Sequence, residues 1–251
     1  MCKSLQIIYF KRMYTSIMFM SNFRTALLIL LQQTDLNPRT SKKNFTNPKL
    51  SRASNLLSNC IASLKHDEIY QVYQENNRET SNLLKEAVGN HNTCKVLDIG
   101  CGIAGYHSEW MKNSKGDLFL FDNSTFNLSS LRYGMGETER YYNSLSLAKR
   151  YLMRQGVDSN RIHTIEIDSE KFTSRKYDLI VSFISLGFHY HVNTYWLEIM
   201  SSLSEKGQVI LDIRNNSSSD DFIQDKKEKN VILVLSAINY GKFTRYTFQK
   251  A

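Results

Sequence analysis

The chain has 251 residues, 41% of them hydrophobic and 12% aromatic, enough for one sizeable core with or without an extension. Its net charge of +8 resides in residues 1–60, where nine Lys/Arg face one acid, Asp35; the remaining 191 residues hold 23 of each sign. The body is therefore not a basic nucleic-acid-binding domain by composition, unless the N-terminal arm supplies the phosphate affinity.

Residues 1–34 are apolar, basic and free of acids, with clusters at Ile7–Phe10, Ile17–Met20 and Ala26–Leu31. Lys11-Arg12 and Arg24 interrupt them, so no charge-free run approaches the ~18 residues of a membrane span. No small-residue cleavage site follows Leu31, which speaks against a secretory signal. Three readings of this arm stand: an amphipathic surface or targeting segment with peripheral membrane contact, a helical cap over the active site, or upstream sequence before a later start such as Met18 or Met20. Residues 33–55 are rich in Asn, Ser, Thr and Lys and hold both prolines, Pro38 and Pro48, as a linker or loop does. The expected division is an extension and linker over 1–55 and one domain over 56–251.

Leu56–Val88 is helical in pattern, with Ile69, Val72, Tyr73, Leu83, Leu84 and Val88 as its buried face and Gly89-Asn90 as its stop. Strands are then predicted at Lys95–Ile99, Leu118–Phe121, Arg161–Ile167, Tyr177–Ile184, Gln208–Ile213, Val231–Ser236 and Phe243–Phe248. Helices are predicted at Tyr106–Asn113, Tyr141–Gln155 and Thr194–Leu203. Apolar strands alternating with helices imply an α/β fold, a parallel sheet covered on both faces. Only Ala237–Lys242 separates the last two strands, so they form an antiparallel hairpin. Four cysteines (Cys2, Cys60, Cys94, Cys101) lack C-x-x-C or metal-ligand spacing and imply free thiols in a reducing, cytoplasmic compartment.

The chain is organised around Lys95–Gly105. A short buried strand there carries Asp98, and Gly100, Gly102 and Gly105 follow at G-x-G-x-x-G spacing before a helix. Such a turn lets a ligand approach the backbone. A second acidic strand end, Phe119-Leu-Phe-Asp122, lies 22 residues beyond Gly100. Together they point to a nucleotide-like ligand. Val96-Leu-Asp-Ile-Gly-Cys-Gly-Ile-Ala-Gly105 resembles motif I of the class I S-adenosylmethionine-dependent methyltransferases, and the likeness runs over roughly 70–250. A nicotinamide or flavin Rossmann domain uses a similar glycine pattern. It has an apolar strand running into its first glycine, however, and continues through further βα units, whereas Asp98 interrupts this strand and the chain closes on a hairpin.

The resemblance implies a seven-stranded, Rossmann-like methyltransferase sheet and S-adenosyl-L-methionine as cofactor. It implies that Gly100, Gly102 and their neighbours, with Gly105, approach the methionine moiety and ribose, and that Asp98 contacts the methionine ammonium, directly or through water. Asp122 ends the second strand, where two carboxylate oxygens accept both ribose hydroxyls; the alternative is a turn or cap residue before Asn123-Ser124. Asp168 resembles the acid that accepts from the adenine amino group and equally suits a cap for the segment from Ser169.

The acceptor site in this fold lies beyond the fourth strand, where the chain reads Ser182-Phe-Ile-Ser-Leu-Gly-Phe-His-Tyr-His191. No Asn/Asp-Pro-Pro-aromatic signature and no Pro-Cys nucleophile occurs, which disfavours amino-methyltransferases of the adenine and glutamine type and excludes cytosine C5 chemistry of the Pro-Cys type. The fourth strand ends without a carboxylate, and His189-x-His191 has no acid at ligand spacing, so no metal site is expected. Gly187-Phe-His-Tyr190 and Tyr141-Tyr-Asn-Ser-Leu145 resemble a bacterial methyltransferase group met among surface-sugar genes. That group more often reads Ser-Trp-Gly-Phe-His-Tyr-Pro, where this chain has Leu186 and His191 for the Trp and the Pro. His189 is the candidate base, since imidazole titrates near neutral pH; a packing or substrate-binding role stands beside it. Phe188, Tyr190 and His191 are candidate substrate contacts. Asn123–Arg140 is a long link that suits a lid or a surface loop. The expected function is methyl transfer, O-methylation favoured, to a small polar acceptor such as a sugar or its conjugate. The alternatives are an RNA methyltransferase using the basic arm and a non-catalytic cofactor-binding scaffold. Nothing in the sequence sets the oligomer.

Overall fold

The computed structural model describes residues 22–29, 65–89, 93–124, 143–167, 169 and 171–251. Most of the N-terminal arm, the 33–55 linker, residues 56–64, most of the Asn123–Arg140 link and Asp168 lie outside the described residues.

Residues 22–29 form helix α1. Helices α2 (His66–Asn76) and α3 (Arg78–Val88) follow, broken at Asn77, so the single helical stretch expected here is two. Asn77 bends the chain and donates its side-chain amide back to the Tyr73 carbonyl at 2.7 Å, a local bond that competes with helix continuation. Strands β1 (Lys95–Ile99), β2 (Asp117–Asp122), β3 (Ile162–Glu166) and β4 (Tyr177–Ser182) come next. They are followed by β5 (Leu203–Arg214), β6 (Ile232–Asn239) and β7 (Phe243–Lys250). Between them lie α4 (Ser108–Asn113), α5 (Leu145–Arg154), α6 (Trp196–Ser202) and α7 (Ser218–Glu228).

The seven strands form one sheet in the order β3-β2-β1-β4-β5-β7-β6. The pairs from β3 to β5 are parallel, and β5–β7 and β6–β7 are antiparallel. The chain thus leaves β1 toward β2 and β3, then returns to the other side of β1 with β4. That reversal opens a crevice at the carboxyl ends of β1 and β4, where open α/β sheets bind ligands.

Period-2 alternation divides the core. Leu97, Ile99, Phe119, Phe121 and Ile180 face α6 and α7 through Trp196, Ile199 and Ile223. Val96, Leu118, Leu120, Leu179, Val181 and Ile210 face α3, α4 and α5 through Leu84, Trp110, Met111, Ala148 and Leu152. The same alternation puts Asp98, Asp122 and Asp212 on this second face. A one-residue register shift in β1, β2 or β5 would turn that strand's acid to the other face.

Helix α1 is packed in, with Ala26, Leu27, Leu28 and Ile29 buried against Ile69, Tyr73, Ile103 and Tyr151. Among the described residues no helix is long and apolar enough to cross a membrane.

Candidate functional site

The glycine turn follows from its backbone angles. Gly100 and Gly102 have φ of +70° and +54°, which side chains rarely adopt. The Gly100 amide donates to the Phe121 carbonyl at 2.8 Å, tying the turn to β2. A Cβ on Gly100 would lie 1.9 Å from Ser185 Oγ, so the loop after β4 rests directly on this glycine. Gly105 behaves differently. Its amide donates to Tyr73 Oη at 3.1 Å, and a Cβ there would lie 2.3 Å from the Tyr73 ring. Gly105 thus packs against α2, with its donor already engaged. The expected helix over Tyr106–Asn113 is a 3₁₀ turn at Gly105–His107 followed by the six-residue α4.

Asp98 is wholly buried. Its Oδ2 accepts from Tyr106 Oη at 2.9 Å and from His107 Nε2 at 2.8 Å. Its Oδ1, also buried, has no hydrogen-bond partner. Burial beside Asp98 pushes the Tyr106 hydroxyl well above its ordinary value, so it stays a donor.

Asp122 closes β2 on the same face. Oδ2 accepts from the Gly102 amide at 3.0 Å and Oδ1 from the Asn123 amide at 2.7 Å. Burial pushes this carboxyl up to about 6, against the lowering effect of those bonds and of the Asn143 side chain. Asn143, almost fully buried, also reaches Cys101 Sγ at 3.8 Å. Burial raises the Cys101 thiol well above its usual range, which makes it an inert packing group rather than a nucleophile.

On the acceptor side, Ser182 Oγ donates to the Ile99 carbonyl at 2.6 Å and accepts from the Leu186 amide at 3.0 Å. This links the ends of β1 and β4. The Ser185 carbonyl accepts from the amides of Phe188, His189 and Tyr190 at 3.1, 2.8 and 3.3 Å. The Gly187 carbonyl accepts from the Arg214 amide at 3.0 Å, so β5 clamps the Gly187–Tyr190 turn. Phe188 is half-buried beneath the Arg214 guanidinium, 4.4 Å from the ring centroid, while His189 and Tyr190 are exposed. Ile184 sits at φ +53°, a strained conformation for a β-branched residue, beside Ser185.

His191 is placed apart from this turn. Its Nδ1 accepts from the Asn193 amide at 3.0 Å, capping the 3₁₀ turn Val192–Thr194, and its ring meets Phe222 of α7. The H-x-H pair therefore splits between two environments. Among the described residues no three His, Cys, Asp or Glu side chains gather as a metal site.

Several contributors escaped the sequence reading. Arg245 binds Asp212 through two bonds of 2.6 and 2.8 Å, both side chains buried, and lies over the Phe183 ring at 4.6 Å. Phe183 in turn meets Tyr106 edge-on at 5.1 Å. A chain of contacts thus joins the hairpin to the glycine turn. Tyr106, His107, Asn143 and Ser185 belong to stretches already singled out, but partners so placed leave no mark in periodicity. A cavity of about 450 Å³, lined by Gln74, Asn77, Arg78, Ser81, Gly105 and Glu109 among others, lies between α2, α3 and α4, and neither Asp98 nor Asp122 borders it.

No protein-family model and no curated protein sequence matches the chain. Among solved structures it is similar to the ribosomal protein L11 methylase of Lactobacillus delbrueckii subsp. bulgaricus, at 17% identity and a TM-score of 0.50, over 68% of this chain and 76% of that one. It is also similar to precorrin-6y C5,15-methyltransferase of Geobacter metallireducens GS-15, at 13% identity and TM-score 0.47, over 69% and 88% of the two chains. A third is a SAM-dependent methyltransferase of Thiobacillus denitrificans in complex with S-adenosyl-L-homocysteine, at 15% identity and TM-score 0.45, over 64% and 66%. The strand order, the closing antiparallel hairpin and the likeness to the L11 methylase give this chain the seven-stranded fold of the class I methyltransferases.

Proposed function

We propose that the protein is an S-adenosyl-L-methionine-dependent methyltransferase that methylates a small polar acceptor, a sugar or sugar conjugate, at oxygen. The observation that carries the cofactor reading is the Gly102 amide bonded to Asp122 at 3.0 Å, which joins the glycine turn and the second acidic strand end in one cradle. The residues fit the cofactor. Asp98 holds a buried, unpartnered oxygen, Gly100 has no room for a side chain, and Asp122 ends β2 with both carboxylate oxygens turned to backbone amides of the glycine turn and its own strand end.

The bound cofactor supplies a sulfonium-activated methyl group. In this reading Asp98 Oδ1 accepts from the methionine ammonium. The backbone at Gly100 and Gly102 would approach the methionine and ribose, and Asp122, still held by the Gly102 and Asn123 amides, would accept from the ribose hydroxyls on its remaining lone pairs. Asp168 takes the adenine amino group. Gly105 acts from behind by seating the turn on Tyr73. The Gly187–Tyr190 turn, pinned between Ser185 and β5, holds the acceptor. His189, exposed on that turn, takes the acceptor hydroxyl proton, while Phe188 and Tyr190 shape the pocket and exclude water. His191 contributes by capping the segment that follows.

Calorimetry with S-adenosylhomocysteine and NADH tests the cofactor, and labelled-methyl transfer across sugar, other small-molecule and RNA pools tests the acceptor. Binding of the first ligand alone, with label in the sugar pool, is expected. NADH binding without a response to S-adenosylhomocysteine overturns the cofactor reading, and label confined to RNA overturns the acceptor reading.

A further inference from the structure

His107 is the one imidazole among the described residues that is completely buried, and the methyl-transfer scheme above gives it no task. Its surroundings set its hydrogen bonding. Trp110 Nε1, which can only donate, lies 2.9 Å from His107 Nδ1. Nδ1 must accept, so the ring proton is assigned to Nε2, which faces Asp98 Oδ2 at 2.8 Å. Tyr106 Oη donates to the same oxygen at 2.9 Å. Two donors on Oδ2 fix the rotation of the carboxyl group and leave Oδ1 buried and unpartnered on the opposite side.

A buried carboxylate oxygen without a donor costs about 1–3 kcal/mol, so an arrangement that directs both available donors to one oxygen reserves the other for a partner supplied from outside. We propose that His107, oriented by Trp110, is a positioning residue: it holds Asp98 so that Oδ1 receives a cationic amino group of the ligand. This rests on the cofactor reading above, in which that group is the ammonium of S-adenosylmethionine. The donor geometry follows from sequence spacing. His107 and Trp110 are three residues apart, so the turn from the 3₁₀ segment into α4 brings the indole N–H onto the imidazole.

The test compares two ligands by calorimetry. S-adenosylhomocysteine carries the ammonium, and 5′-deoxy-5′-methylthioadenosine has the same adenosine and thioether without the amino acid. In His107→Leu, affinity for S-adenosylhomocysteine should fall about tenfold, the size of one hydrogen bond to a charged group, and affinity for methylthioadenosine should hold. His107→Gln, which keeps a donor at the Nε2 position, should restore most of the loss. An equal fall for both ligands, or no fall for either, overturns the proposal. If His107→Leu fails to fold, Trp110→Phe is read in the same way: a fall for S-adenosylhomocysteine alone supports the proposal, and any other pattern overturns it. A wild-type protein that binds neither ligand overturns the cofactor reading instead, so the two failures are distinct.

Discussion

Asp122→Asn sets stability against ligand binding. Burial lifts the wild-type carboxyl from 3.8 to about 6, so the folded state binds a proton more tightly than the unfolded chain between those values. Above pH 6 the folded protein carries a half-buried charge that the unfolded chain holds more easily. A shift of this size corresponds to about 3 kcal/mol. The sign follows from linkage: this group's contribution to stability falls as pH rises from 4 to 6 and stays at its minimum above.

Asn removes the charge and keeps an acceptor for the Gly102 amide, but it loses the bond from the Asn123 amide, worth about 1 kcal/mol. A net gain of about 1–2 kcal/mol at pH 8 is expected in the ligand-free protein. For a chain of this length that is about 2–8 °C in Tm. Urea denaturation at pH 5, 6, 7 and 8 measures it, and the variant should lose the wild-type slope between pH 5 and 6. Ligand binding should move the other way. Wild-type affinity for S-adenosylhomocysteine should weaken as pH falls below 6 and Asp122 protonates, and the variant should bind weakly throughout. A variant no more stable than wild type at pH 8, with an unchanged pH slope, would refute the burial argument.

His189→Ala should lower turnover by ~10²–10⁴ if the imidazole is the base, with S-adenosylhomocysteine affinity unchanged in a binding titration. Gly105→Ala forces a methyl group into the Tyr73 and Tyr151 rings and should cost about 1–3 kcal/mol in a denaturation curve. Asp212→Ala strands the Arg245 guanidinium among Phe183, Tyr240 and Phe243 and should cost about 3–5 kcal/mol. His191→Ala removes a cap on the Val192–Thr194 turn, worth about 1 kcal/mol, and should leave cofactor affinity alone.

Local pattern determined a good part of this protein. Each of the seven strands lies where a short apolar run marks it, and β1 spans Lys95–Ile99 as read. The closing hairpin follows from a connection too short for anything else. The glycine turn and its two acids follow from residue type and alternation, because both depend on backbone angles and a period of two. Helix α7 was missed, since Phe222 and Ile223 alone make too weak an apolar stripe. Its legible signal is Ser217 three residues ahead of Asp220, the spacing of an N-cap, and in the structure the Ser217 side chain accepts from the Asp220 amide. Strand β5 begins at Leu203, directly after α6, where a register shift against β4 admits polar residues that read as loop.

Tertiary structure alone decided who meets whom. Ser185 stands over Gly100, 85 residues earlier, and Tyr73 under Gly105, 32 earlier. Arg245 finds Asp212 because β7 runs antiparallel to β5 with those two residues in register. The physical reason is that propensity and periodicity act over a few residues, whereas these contacts are set by strand order. A sequence carries the hydrophobic faces that select such an order, but not the pairs of atoms that the order brings within bonding distance.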